Sequence, residues 1–62
     1  MTDFTITDWN RIAQALRIAA DSYNGDAHIA ASAGEDRLAR QFDLQRDNAI
    51  VLASRIEREH GL

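Results

Sequence analysis

The sequence predicts an all-α protein, an antiparallel hairpin of two long helices. The chain of 62 residues has no proline and is rich in alanine, leucine and arginine, which favour helices. Apolar residues recur at alternating steps of three and four in two stretches, which is a heptad pattern. Gly34 lies between these stretches and can form the turn that joins them. We therefore expect one small domain that spans residues 1–62.

The first predicted helix runs from about residue 8 to about residue 33. Thr5 or Thr7 can cap its first turn, because a threonine hydroxyl accepts a hydrogen bond from a free backbone amide there. Phe4 and Ile6 are expected to fold back over the end of the hairpin. The apolar residues of this helix form a heptad seam of Trp9, Ile12, Leu16, Ala19, Tyr23, Ala27 and Ala30.

An alternative is that the first helix breaks at Asn24-Gly25, since both residues tolerate a left-handed backbone. A short third helix would then begin at Asp26, and Ser32 to Glu35 would form a capping box for the last helix. Continuity is favoured, because the apolar pattern passes Gly25 without a slip. One glycine inside a long helix costs only about 1 kcal/mol.

The second predicted helix runs from about residue 35 to about residue 60 and stops at Gly61. Its length matches that of the first helix, as an antiparallel hairpin requires. Its heptad seam consists of Leu38, Phe42, Gln45, Ala49, Leu52 and Ile56.

The turn fixes how the two seams face each other. Trp9 is expected to cover the open end of the hairpin near His60. Gln45 is the one polar residue on the second seam, and its amide is expected to face the Tyr23 hydroxyl. A buried polar pair of this kind would fix the register of the helices.

Several apolar side chains remain outside both seams, and a bare hairpin would leave them in water. We expect two copies to pair into a four-helix bundle, as a homodimer or a higher even oligomer. An alternative is that a different protein covers these residues. The predicted interface residues are Ile18, Ser22, Ile29, Leu44, Ile50 and Val51.

Composition argues against several classes of function. The sequence has ten acidic and seven basic residues, and every basic residue is an arginine. The resulting net charge of −3 does not favour nucleic-acid binding. The sequence has no cysteine, so it has no disulfide and no thiol nucleophile. Since no apolar run is long enough for a membrane span or signal peptide, we expect a cytoplasmic protein.

The sequence offers no convincing catalytic or metal site. Glu57 and His60 have the Glu-x-x-His spacing of di-iron bundles, but Glu57 points away from the seam and the first helix has no glutamate. His28 is isolated. We therefore expect no enzyme activity and no cofactor. Arg37 and Arg40 are candidate anion-binding residues, because guanidinium groups bind phosphate and carboxylate well.

Three stretches carry a resemblance to a known kind of protein: residues 15–21, residues 37–42 and residues 49–57, which flank the Gly34 turn. They resemble small arginine-, alanine- and leucine-rich helical hairpins of GC-rich bacteria and their phages. The resemblance implies a non-enzymatic inhibitor that binds a host protein, including host defence machines. Alternatives are an oligomeric sponge for a nucleotide or other anion, and an RNA-binding hairpin, since the architecture resembles that of Rop.

Overall fold

The computed structural model describes residues 3–62, which form an antiparallel helical hairpin. Helix α1 spans Ile6–Ser32 and helix α2 spans Asp36–Glu59. The predicted all-α hairpin is confirmed. Helix α1 continues through Gly25, so the alternative with a break at Asn24-Gly25 is wrong. The Cα extents of 44 × 21 × 13 Å describe a flat rod only one helix thick.

The capping residue of α1 is Thr5, and it forms a reciprocal pair with Asp8. The Asp8 backbone amide donates to the Thr5 hydroxyl at 3.1 Å, and the Thr5 amide donates to the Asp8 carboxylate at 3.1 Å. This capping box satisfies two amides that the helix itself cannot pair. An aspartate in the first turn also interacts favourably with the positive end of the helix dipole.

A stack of rings closes the open end of the hairpin. The Trp9 indole lies parallel to the His60 imidazole, with ring centroids 4.2 Å apart. The predicted position of Trp9 near His60 is confirmed, and the parallel stacking is an additional finding. Phe4 packs edge to face on Trp9 at 5.0 Å. Ile6 is exposed, so only Phe4 of the predicted pair folds back over this end.

The turn between the helices depends on Gly34, whose φ of 78° lies in the left-handed region that glycine adopts at little cost. The Glu35 amide donates to the Ala30 carbonyl at 2.8 Å, and the Gly34 amide donates to the Ala31 carbonyl at 3.0 Å. These bonds pair carbonyls at the end of α1. Glu35 makes no side-chain capping bond, so α2 begins without a capping box.

The helices pack through a line of alanines. Both Ala13 and Ala53 are 0% exposed, and among residues 3–62 no large side chain is fully buried. Alanine contacts let two helix backbones approach closely, but they bury little apolar area per residue. We call this contact line the alanine seam, and its buried residues are Ala13, Ala20, Ala27, Ala30, Ala39, Ala49, Ala53 and Ile56.

The predicted seams are therefore partly wrong, by a rotation of about one residue on each helix. Leu38 and Leu52 are 42% and 44% exposed, and Gln45 is also exposed. Ala13 and Ala20 replace their neighbours Ile12 and Ala19, which are half-buried. A two-helix hairpin has only one contact line. The small residues occupy it, and the larger residues pack beside it.

The predicted pair of Gln45 and Tyr23 is also wrong: no hydrogen bond joins them in residues 3–62. The Tyr23 ring stacks near the Phe42 ring instead, with centroids 6.4 Å apart. The polar residue on the contact line of α2 is Arg46, which lies seven residues from both Ala39 and Ala53.

Candidate interaction site

Two different faces flank the alanine seam, and one of them is held by charged side chains. Near the open end, Arg17 of α1 reaches across to α2. Its Nε donates to Glu57 Oε2 at 3.0 Å, and its Nη2 donates to Glu57 Oε1 at 2.5 Å and to Ser54 Oγ at 3.4 Å. This two-pronged arrangement is the geometry in which arginine binds carboxylates best.

The hydrogen bonds from Arg17 lower the pKa of the Glu57 carboxyl below its ordinary value, and Glu57 in turn raises the pKa of Arg17. Both side chains remain partly in water, so screening limits what the pair contributes to stability. Arg17 binds both oxygens of the Glu57 carboxylate and thereby holds α1 and α2 together at this end.

A second cross-link lies near the middle of the hairpin. Arg46 Nη1 donates to the Asn24 side-chain oxygen of α1 at 2.9 Å and to Asp43 at 3.1 Å. Its Nε donates to Asp47 at 3.0 Å. His28 lies beside this cluster, in a shallow depression. We call this side the polar face, defined by Arg17, Asn24, His28, Asp43, Arg46, Ser54 and Glu57.

The other side is mainly apolar, and its charged lining residues, Asp26 and Glu35, lie near the turn. Two open depressions lie along it, of about 230 Å³ at mid-length and about 380 Å³ near the turn. Tyr23 lines the first and Phe42 the second, so the stacked rings mark the boundary between them. We call this side the apolar face, defined by Leu16, Ala19, Tyr23, Ala30, Leu38, Phe42, Gln45, Asn48 and Leu52.

Neighbouring residues separate the two faces, because one residue rotates a helix by about 100°. Tyr23 lies on the apolar face and Asn24 on the polar face. On α2, Gln45 lies on the apolar face and Arg46 on the polar face.

The predicted interface residues are exposed, but they do not share one face. Ile29 is 71% exposed and lies at the rim of the depression near the turn. Ile18, 70% exposed, and Ser22 are on the outward side of α1. Ile50 lies toward the polar face, two helical turns from Glu57 in heptad register. The interface assignment stays a prediction, and the structure divides its six residues among four surfaces.

The remaining two predicted interface residues, Leu44 and Val51, lie on the outward side of α2. They are 59% and 67% exposed. Arg37 and Arg58 continue the same line at heptad spacing, so two apolar residues lie between two arginines. We call this line the outer strip: Arg37, Leu44, Val51 and Arg58.

The candidate anion-binding residues adjoin the outer strip. Arg37 and Arg40 line an open depression of about 420 Å³ together with Gln41 and Leu44. In residues 3–62, neither arginine has an acidic partner within ion-pair distance. Their guanidinium groups are therefore available to a carboxylate or phosphate group.

The possible metal and catalytic residues are not gathered into a site. Glu57 is bound to Arg17, and His60 is stacked on Trp9. In the part of the chain that the structure describes, no three histidine, cysteine, aspartate or glutamate side chains come together to hold a metal ion. Neither α1 nor α2 is long and apolar enough to cross a membrane.

The fold and its surfaces define a class of protein: a short helical hairpin with a cross-linked polar face, an apolar face and a basic-apolar outer strip. Comparison of the chain with known protein families, curated proteins and solved structures found no match.

Proposed function

We propose that this chain is a non-enzymatic protein that acts through protein–protein contacts, with the outer strip of α2 as its binding surface. The main observation in support is the exposure of Leu44 and Val51 between arginines. Exposed apolar residues flanked by charge are typical of sites that bind a partner.

The chemistry of the strip indicates an acidic amphipathic helix as its partner. Leu44 and Val51 are about 10 Å apart along α2, which is two turns of a helix. A partner helix can place apolar residues on both at heptad spacing. Arg37, Arg40 and Arg58 offer positive charge at the ends of the strip, so acidic residues there would complete the contact.

Other arginines bind part of the acidic charge near the strip. The net charge is −3, but Asp43 and Asp47 are bound to Arg46, and Glu59 is bound to Arg55. The strip therefore attracts acidic partners, while the chain as a whole stays acidic and does not favour nucleic acid.

A rigid rod without a catalytic cluster would act by covering a surface of its partner. This fits the inhibitor role that the resemblance to phage hairpins implies, including inhibition of a host defence machine. The partner would lose access to whatever the covered surface normally binds.

Affinity capture from host lysate, read out by mass spectrometry, tests the proposal. Wild-type protein is compared with Val51→Glu, which places an acid in the middle of the outer strip, and with Ile18→Glu as the matched control on the outward side of α1. We expect one captured protein that contains an acidic amphipathic helix, lost with Val51→Glu and kept with Ile18→Glu. Equal capture by both variants would contradict the assignment of the strip.

A second candidate function is the binding of a small anion, and the depression beside Arg37 and Arg40 favours it. A nucleotide phosphate would accept hydrogen bonds from both guanidinium groups. Thermal denaturation with cyclic nucleotides tests this: an increase in Tm that disappears in Arg40→Gln supports the anion site. A parallel titration with duplex RNA tests the Rop-like alternative, and its affinity should fall with added salt.

A further inference from the structure

We infer that the apolar face binds a second copy of this chain, and that the two hairpins pair with their turns at opposite ends to form an antiparallel four-helix bundle. The inference does not depend on the proposed partner of the outer strip, because the two surfaces lie on different sides of the hairpin.

The hairpin exposes more surface than a compact protein of its mass, because a flat pair of helices encloses no large core. The chain exposes 4721 Å². A compact monomer of 6.9 kDa is expected to expose about 4,000 Å². The excess of roughly 700 Å² is close to the ~800 Å² that each partner contributes to a standard stable interface.

The side chains in the core of the hairpin are also smaller than those in the core of a typical globular domain. It consists of alanines and one isoleucine, while the larger residues Leu16, Tyr23 and Phe42 are only half-buried beside it. Without a cysteine, the chain cannot add a disulfide to compensate. A second apolar face of the same kind would bury these side chains and complete a core of ordinary size.

The middle of the apolar face has the shape that a copy of itself can fill. Ala19 and Ala49 form the floor of the depression at mid-length, and Leu16, Tyr23 and Leu52 surround them. A two-fold axis through this depression would bring the small floor residues of the two copies together, with the larger residues of both copies packed around them. Gln45 and Asn48, at the same level, would hydrogen-bond across the axis.

Charge decides the orientation of the two copies. At the turn, Asp26 and Glu35 line the apolar face. Toward the open end, Arg55 lies seven residues beyond Asn48 and so on the same side of α2. Arg55 Nε donates to Glu59 at 3.1 Å, and the Arg55 side chain is still 64% exposed, so it can also contact a carboxylate of the other copy. When the turns lie at opposite ends, Asp26 of one copy approaches Arg55 of the other. When the turns lie together, the acids of both copies meet and repel.

Sedimentation equilibrium over a micromolar to millimolar concentration series tests the dimer. Wild-type protein should sediment as a dimer. Leu52→Glu, on the apolar face, should raise the dissociation constant at least about 100-fold, because each dimer loses two buried leucines. Its sequence neighbour Val51→Glu makes the same kind of change on the outer strip and should leave the dimer unchanged. A monomeric wild type, or equal effects of the two variants, would overturn the inference.

A charge exchange tests the orientation and does not depend on whether Leu52→Glu folds. Asp26→Arg and Arg55→Asp should each weaken the dimer, by about tenfold. The double variant Asp26→Arg, Arg55→Asp should restore it to near the wild-type dissociation constant. A double variant that is as weak as either single variant would exclude the antiparallel pairing. Partner capture by the outer strip is measured separately with Val51→Glu, so failure of one proposal is distinguishable from failure of the other.

Discussion

The polar and apolar faces differ in what holds the two helices together, although they flank the same alanine seam. On the polar face, Arg17 and Arg46 connect α1 to α2 directly. On the apolar face no ion pair crosses between the helices in residues 3–62, and leucines and rings lie partly in water. The polar face is therefore satisfied within one chain, and the apolar face is where a further surface gains most by binding.

Substitution in the alanine seam should have the largest effect on the free energy of unfolding. Ala53→Leu adds three carbon atoms where none of the side chain is exposed, so the helices must separate. We expect a loss of about 2–3 kcal/mol in the free energy of unfolding, measured by urea denaturation. Ala15→Leu, on the exposed side of α1, is the control and should be close to neutral. Equal losses of unfolding free energy for Ala53→Leu and Ala15→Leu would show that the alanine seam does not hold the helices together.

Residues 45 and 46 compare the faces directly, because they are neighbours on opposite sides of α2. Arg46→Ala removes the bonds to Asn24, Asp43 and Asp47 and should cost about 1 kcal/mol. Gln45→Ala removes no hydrogen bond within residues 3–62, and should change stability by only about a few tenths of a kcal/mol. Thermal denaturation of both variants at low concentration measures the difference. A larger loss from Gln45→Ala would reverse our assignment of the two faces.

Substitutions of Gly25 and Gly34 test whether both faces depend on one continuous helix α1 and one turn. Gly25 is helical and has open space around it, so Gly25→Ala should stabilise the hairpin by about 0.5–1 kcal/mol. Gly34 has a left-handed backbone, so Gly34→Ala should destabilise it by about 1 kcal/mol. Opposite changes in Tm are the expected result. Destabilisation by Gly25→Ala would contradict an uninterrupted α1.

The smallest effect concerns pH and the Arg17–Glu57 pair of the polar face. Since Arg17 lowers the pKa of Glu57 in the folded chain, the pair stabilises the fold above the ordinary carboxyl pKa of about 4.3. That contribution is lost as the pH falls through the lowered value. The Tm of wild type should exceed that of Glu57→Gln slightly at neutral pH, and the difference should vanish in acid. Added salt at neutral pH should also reduce the difference. If the difference in Tm between wild type and Glu57→Gln persists in acid, it comes from packing and not from the ion pair.

Most of the fold follows from local features of the sequence. Thr5 and Asp8 form a capping box from four adjacent residues, and Gly34 supplies the left-handed turn. The position of Trp9 near His60 follows once two helices of similar length meet at a turn. The positions of Ile18, Leu44 and Val51 in water also follow, because they lie away from every heptad seam.

The candidate surfaces were harder to predict, because they depend on which line of each helix makes the contact. Hydrophobicity favours Leu38 and Leu52 for that line, whereas close packing of two backbones favours Ala39 and Ala53. The heptad spacing of Ala13, Ala20 and Ala27 was a signal in the sequence for the second choice. Arg17 and Glu57 are forty residues apart, so no local pattern could pair them.

The sequence by itself determined two matched helices, their caps and their turn, because each depends on residues within a few positions of one another. Only the tertiary structure decided that alanines form the contact line, that arginines cross-link one face, and that the larger apolar residues are left on the other. The reason is geometric: a rotation of about 100° per residue moves neighbouring side chains to different faces, and only packing of one helix on the other fixes that rotation.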